Sequence, residues 1–410
     1  MAARSQDAMA SPPRRTGGGV DFSALLSRFD RLGVIVALIV AAGSLALPFV
    51  TFKANRIAPG QPLGISEALA FPEGPVFQAV ILAGALVALI RLPSSLRLAA
   101  GLLLIAALGL MLGVAATGLM PEGSRVARVS PAAGFWLLVF AFALVAADAL
   151  ARMQLGPMTR LGLLALVALG LGLMLWSGLW DDVSILREYA NRGAAFRSEA
   201  QTHFALAFGS LGAATLIGVP LGILSYRNRA LRTGVLNSLN VVQTIPSIAL
   251  FGLLIAPLSW VAANIPGASA LGVSGIGFAP AMLALFGYSL LPIVANTVAG
   301  LEATPEPVRQ AARGMGMTRR QILTKVELPL ALPVIIAGIR IVLVQNIGLA
   351  TIAALIGGGG FGVFVFQGIG QTAMDLVLLG AVPTVALAMA AAIVLDAVVD
   401  LASPGQARPR

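Results

Sequence analysis

The chain has no cysteine, which excludes disulfides, cysteine-ligated zinc and iron–sulfur clusters. It has a single histidine, His203, and three tyrosines, so the side chains that usually carry acid–base chemistry are scarce. A catalytic role for His203 would need a partner base or nucleophile, and none lies near it in sequence; it reads as an interfacial histidine at the start of an apolar run. No glycine-rich phosphate loop ending in Lys-Ser or Lys-Thr occurs, so the chain lacks a Walker A site of its own. There is no H-E-x-x-H motif and no acid pair suited to hydrolysis. Charge is also scarce: charged residues make up 11% of the chain, against about 25% in soluble domains.

What fills the chain instead is apolar. Hydrophobic residues make up 58% of 410 residues, more than a water-soluble core of that size could bury. They are clumped into runs near bilayer length, at 32–52, 75–90, 96–118, 132–150, 161–179, 204–226, 236–263, 279–300, 330–356 and 374–401. Such runs predict an all-α, polytopic transmembrane helical bundle of about ten spans. The first run is too long for a signal-peptide core and is expected to be retained.

The net charge of +10 sits mostly in short loops. With the N-terminus inside, the inside loops hold Arg91 and Arg97, then Arg152 and Arg160, then Arg227, Arg229 and Arg232. The fourth holds Arg309, Arg313, Arg319, Arg320 and Lys325, and the tail holds Arg408 and Arg410. The intervening loops are neutral or nearly so, apart from a positive lean at 122–128. This alternation predicts both termini on the cytoplasmic side of the membrane. Nucleic-acid binding is not expected, because no basic face is interleaved with stacking aromatics.

Four regions follow. Residues 1–31, with paired prolines and a glycine run, read as a disordered cytosolic tail. Residues 32–180 hold five Leu-, Ala- and Gly-rich spans that read as a scaffold. Residues 181–201 are polar and read as a periplasmic amphipathic segment. Residues 202–402 carry Asn, Gln, Thr, Ser and Pro at membrane depth and are expected to be the working core.

The longest inside loop, 301–329, is the most informative. Gln310, Ala311 and Ala312 are followed by Gly316, and the loop closes on Leu328 and Pro329. The small Ala311 and Ala312 would let another surface approach closely. Gly316 can take a positive φ at a turn. A second short helix carrying Arg319 follows, and Pro329 is expected to stop it. A rigid elbow outside the membrane suits force transmission to a partner.

This loop resembles the EAA loop of ABC-importer permeases, whose pattern is Glu-Ala-Ala, three residues, Gly, nine residues, Ile, one residue, Leu-Pro. Gln310 stands at the Glu position and Val326 at the Ile position; the rest matches at the right spacing. Residues 242–252, 288–293 and 356–362 are similar to the osmoprotectant branch, which imports glycine betaine, choline, carnitine or related solutes. The resemblance covers about residues 200–400 and implies the core fold of methionine importers. It also implies partners: ABC ATPase subunits that hold ATP and Mg, a periplasmic substrate-binding protein, and a second permease, identical or homologous. No cofactor would be bound by this chain itself. Residues 310–312, Gly316, Arg319, Leu328 and Pro329 would couple to the ATPase.

For a translocation path, Gln243, Thr244 and Pro246 fall inside an expected span, as do Asn296, Gln345 and Asn346. The first three read equally as path lining or as helix packing, whereas for Asn296, Gln345 and Asn346 interhelical hydrogen bonding is the preferred reading over path lining. Gly358 and Gly359, in a run of four glycines, read as a re-entrant turn or a flexible loop. Asp375, Asp396 and Asp400 lie near the ends of the last span, where carboxylates sit in water or at helix contacts. A competing class, an ion-coupled secondary transporter of a small polar solute, would call for inverted repeats and charges at mid-membrane.

Overall fold

The structure, a computed structural model, describes residues 30–55, 58–124 and 126–402. Apart from Asp30 and Arg31, the expected tail over 1–31 lies outside the described residues, as do Arg408 and Arg410.

The chain is an all-α polytopic bundle. Eight helices are long and apolar enough to cross a membrane, and two shorter apolar helices, Arg31–Ala46 and Glu73–Leu89, complete ten passes. The first pass joins α1 (Arg31–Ala41) to a π-turn at Ala42–Ala46. The rest of the first apolar run departs from the expectation. Pro48 cannot continue the helical ladder, and Val50, Thr51 and Phe52 are good strand formers. They enter β1 (Val50–Lys53), which pairs antiparallel with β2 (Gln61–Leu63) and β3 (Arg128–Pro131). This small sheet joins the end of the first apolar run to two segments, β2 and β3, that the sequence shows only as loops.

Helices α2 (Glu73–Leu89), α3 (Ser94–Leu119) and α4 (Ala133–Met153) close around the sheet with α1. Phe49 is fully buried, with ring centroids 6.0 Å from Phe77 and 5.8 Å from Phe135. At the other end of these helices, Asp30 caps α1 and pairs with Arg97 and Arg152, while Asp148 lies 3.4 Å from Arg97 and 2.9 Å from Arg152. Helix α5 (Pro157–Trp176) has no buried residue and is tied to the C-terminal helix by the Arg160–Asp400 pair.

The polar stretch expected as a separate surface segment is instead the first half of α6 (Ser184–Arg227), one helix of 44 residues with a kink at Arg192. Its second half packs on α9 (Phe278–Glu302) through Ala214, Gly218 and Gly222, spaced four apart on one face. A Cβ at Gly218 would fall 2.9 Å from Ile293, and one at Gly222 2.6 Å from Thr297. Small residues at this spacing bring helix backbones together where no aqueous hydrophobic force acts.

The expected span at 236–263 is two helices, α7 (Arg229–Thr244) and α8 (Ser247–Asn264). Ile245, held extended because a proline follows, breaks the run, and Pro246 caps α8. The remaining elements are α10 (Glu306–Gly314), α11 (Arg319–Ile322), α12 (Leu328–Ile352), α13 (Gly362–Gly370) and α14 (Met374–Leu401). Helices α6, α9, α12 and α14 form the core of this half.

Candidate coupling loop and translocation path

The loop between α9 and α12 folds as an elbow. Helix α10 begins after Pro305 and ends at Gly314, and Gly316 turns the chain with φ +76°. Space beside Gly316 is open, with no atom within 4 Å of an added Cβ. Glycine is needed there for its backbone, not for room. Gln310 and Ala311 are on the open side of α10, whereas Ala312 is buried. Thr318 then caps α11 reciprocally: its hydroxyl accepts from Gln321 N–H, and the Gln321 side chain accepts from Thr318 N–H.

Pro329 does not stop the second helix, contrary to expectation. Residues Leu323–Glu327 form a π-turn, and Leu328 N–H reaches back to Leu323 carbonyl. That wider turn lets Pro329 sit in the first turn of α12, where its missing N–H costs little. Arg319 and Leu328 therefore lie on one rod running from the elbow into the bundle.

Polar contacts absent from the sequence reading fix α10 in place. Arg309 Nε donates to Glu327 Oε1 at 3.0 Å, and Tyr226 Oη donates to the same oxygen at 3.0 Å. Arg309 also donates to Leu301 carbonyl at 2.8 Å and pairs with Glu306 at 3.1 Å. Burial works against the charged Arg309, but Glu306, Tyr226 and Glu327 outweigh it and raise its pKa further. Helix α10 is thus pinned to the ends of α6, α9 and α12. Glu327 lies inside the expected motif spacing, so its acidity beside five basic loop residues was the available signal.

The expected path residues separate. Gln243 donates to Tyr288 carbonyl at 2.8 Å. Pro292, four residues on, has no N–H to use that carbonyl, so Gln243 supplies the missing donor. Tyr288 Oη donates in turn to Ile245 carbonyl, which ties α9 to the α7–α8 break. Thr244 and Pro246 are exposed at this break. Asn296 is half-buried and donates to Pro292 carbonyl at 2.8 Å. Asn346 is fully buried and donates to Ser210 Oγ at 2.8 Å and Ser289 Oγ at 2.9 Å. Of these, the exposed residues are at the α7–α8 break, and Asn346 is a three-helix junction.

At the opposite end of the molecule, Gly357, Gly359 and Gly360 all take positive φ, and Gly358 is buried. Gly360 N–H donates to Glu199 at 2.7 Å, and Phe361 N–H to His203 Nδ1 at 3.4 Å. The glycine run is therefore an ordered turn clamped by α6. His203 is fully buried against Phe361, not interfacial as expected. Glu199 and His203 stand four apart on one helix face, a spacing the sequence carries. The aspartates of α14 all make contacts: Asp375 with Ser130 and Ser184, Asp396 with Arg340, and Asp400 with Arg160.

A membrane bundle with a pinned elbow between two spans is the layout of a transport subunit, and the comparisons agree. Residues 214–408 match the family described as binding-protein-dependent transport system inner membrane component. Residues 30–186 match the N-terminal domain of ABC transporter permease YehY. The osmoprotectant import permease protein OsmW of Salmonella typhimurium is 46% identical over 194 residues, covering 47% of this chain and 83% of that protein. The glycine betaine/carnitine/choline permease protein OpuCD of Bacillus subtilis is 36% identical over 208 residues, covering 50% of this chain and 84% of its own. A solved MetNI methionine ABC transporter in an inward-facing form matches at 25% identity and TM-score 0.46, covering 52% of this chain and 98% of that one. The chain belongs to the inner-membrane permease family of binding-protein-dependent ABC transporters, in its osmoprotectant branch. It is a multi-pass inner-membrane transport component.

Proposed function

We propose that this chain is the permease subunit of an ABC importer that carries a small quaternary-ammonium osmolyte, of the glycine betaine type, into the cytoplasm. The elbow at residues 306–329 carries this reading, because its small-residue helix is held by Arg309, Glu327 and Tyr226 in a chain whose relatives are named osmoprotectant permeases. Gln310, Ala311, Ala312, Gly316, Arg319, Leu328 and Pro329 form the coupling surface. A separate ATPase, which holds ATP and Mg in its own subunit, docks there and closes against α10, and the rod from Arg319 into α12 carries the motion into the bundle. Both termini are cytoplasmic, in line with the arginine-rich loops on the elbow side.

Residues 202–402 act as the core and 32–180 as a scaffold, with 181–201, which holds the first part of α6, as a periplasmic segment. A second permease completes the path. Helix α8 buries only Phe251, and the α7–α8 break leaves Thr244 and Pro246 exposed on the same side. Gln243, Asn296 and the turn at Gly358 and Gly359 flank the path. A periplasmic binding protein supplies the solute and most of the selectivity.

Uptake of labelled glycine betaine into proteoliposomes holding this chain, its ATPase and its binding protein tests the reading. Uptake should require ATP and persist when ion gradients are collapsed. Uptake driven by an ion gradient without ATP would favour a secondary transporter instead.

A further inference from the structure

At the end opposite the elbow, the three-stranded sheet faces the turn between α13 and α14. A cavity of about 580 Å³ lies between them, lined by Thr51, Lys53, Arg128, Ser130, Gln371 and Asp375 among others. That is within the range of small-molecule sites, about 300–1,000 Å³.

The charges on its walls are unevenly matched. Lys53 on β1 is the direct register partner of Arg128 on β3. Like charges opposite one another on a sheet face repel. Arg128 is compensated by Glu188 at 3.9 Å and by the Ala127 carbonyl at 3.0 Å. Lys53 has no anionic partner among the described residues. Its stem passes close to Gly60, where an added Cβ would lie 3.3 Å from Lys53 Cε. Asp375 Oδ1 reaches the same sheet, accepting from Ser130 at 2.7 Å and from Ser184 at 2.6 Å, and no cation pairs with this carboxylate among the described residues. The cavity therefore presents Lys53, a cation with no anionic partner, and Asp375, a carboxylate held by two hydroxyls but by no cation, among the described residues.

We infer that this cavity binds a small zwitterionic solute, with its carboxylate at Lys53 and its cationic group at Asp375. No aromatic side chain lines it among the described residues, so recognition rests on the charge pattern and not on cation–π contact. Glycine and glycine betaine both meet that pattern. Lys53 and Arg128 lie in the part matched to the YehY N-terminal domain, and Gln371 and Asp375 in the part matched to the transport component. A bound zwitterion would bridge the two parts and stabilise their junction. The site is independent of the transport path proposed above.

Isothermal titration of the purified chain in lipid nanodiscs, with glycine, glycine betaine, sodium acetate and tetramethylammonium chloride, tests this. Both zwitterions should bind saturably, and the two half-ligands at least about tenfold more weakly. Lys53→Met and Asp375→Asn should each weaken zwitterion binding by about the same factor; Asn keeps the oxygen that accepts from Ser130 and Ser184. Gln243→Ala, at the path, should leave this binding unchanged while altering uptake, so the two readings fail separately. Absence of saturable binding by wild type, or binding unaffected by both cavity variants, overturns the inference. So does acetate binding as tightly as glycine. Weakened association of Lys53→Met with the binding protein, without any solute binding, would assign the cavity to a protein carboxylate and equally overturn it.

Discussion

Arg309 and Glu327 meet at 3.0 Å across the elbow, and each is largely withdrawn from water, with side chains 15% and 10% exposed. Tyr226 reaches the same carboxylate from the end of α6. A push on α10 therefore has a polar route into two core helices.

Glu327→Ala should break that route. It leaves the Arg309 charge partly buried and Tyr226 without its acceptor, a local cost of about 2–3 kcal/mol. The transmembrane helices are untouched, so insertion should be normal. Solute transported per ATP hydrolysed should fall while basal hydrolysis persists. An unchanged ratio in proteoliposomes would remove Glu327 from the coupling route.

Asn346 ties α12 to Ser210 on α6 and Ser289 on α9. Both serines also donate to carbonyls of their own helices, at 2.5 Å for Ser210 and 2.6 Å for Ser289, so neither is stranded when the amide goes. Asn346→Ala should cost about 1 kcal/mol, the scale of interhelical hydrogen bonds in membranes. The order of preference among solutes should not change, because the side chain is fully buried. A competition assay for uptake checks this; an altered order would place Asn346 on the path.

Asp30 gives acid sensitivity to the N-terminal helices. Burial pushes its carboxyl up, but the hydrogen bond and charge of Arg97, the Leu32 N–H and the charge of Arg152 prevail and hold it below the ordinary value of 3.8. A depressed folded-state pKa stabilises the fold fully above the unfolded value, about 3.9, and the contribution is lost as pH falls through the folded value. Thermal unfolding should therefore drop more steeply below about pH 4 in wild type than in Asp30→Asn. At neutral pH the variant should be the less stable protein, because Arg97 loses a charged partner in a buried site. Equal acid slopes would contradict this.

The topology can be read with introduced cysteines, as the chain has none. Arg320 is exposed on the elbow, and Leu271, between α8 and α9, is 86% exposed at the other end. Arg320→Cys should react with an impermeant thiol reagent only from the cytoplasmic side, and Leu271→Cys only from outside. Labelling of Arg320→Cys from outside would invert the orientation.

The passes and the elbow were legible in the sequence for a simple reason. Apolar length and the glycine at 316 are local signals, and bilayer thickness and positive φ act locally on them. The break at Ile245–Pro246 was written there too, but a proline inside an apolar run reads equally as a kink within one helix. The sheet was not legible. Its strands lie more than sixty residues apart in β2 and β3, and neither alternates clearly. Pairs such as Arg309–Glu327 could be suspected from opposite charge within one loop. Asp375 with Ser184, and Glu199 with Gly360, join segments far apart in the chain, and only tertiary packing brings them together.

Gly316→Asp is the most direct test of the coupling elbow. The native φ of +76° costs a non-glycine residue on the order of 1–2 kcal/mol, and open space around it means no internal clash is added. The variant should therefore fold and insert, with the new carboxylate facing the ATPase. The measurement is solute-stimulated ATP hydrolysis and uptake by the reconstituted complex at equal membrane abundance. Both should fall sharply, with weaker co-purification of the ATPase and unchanged solute capture by the binding protein. Wild-type uptake and stimulation by Gly316→Asp would contradict a coupling role for residues 310–329.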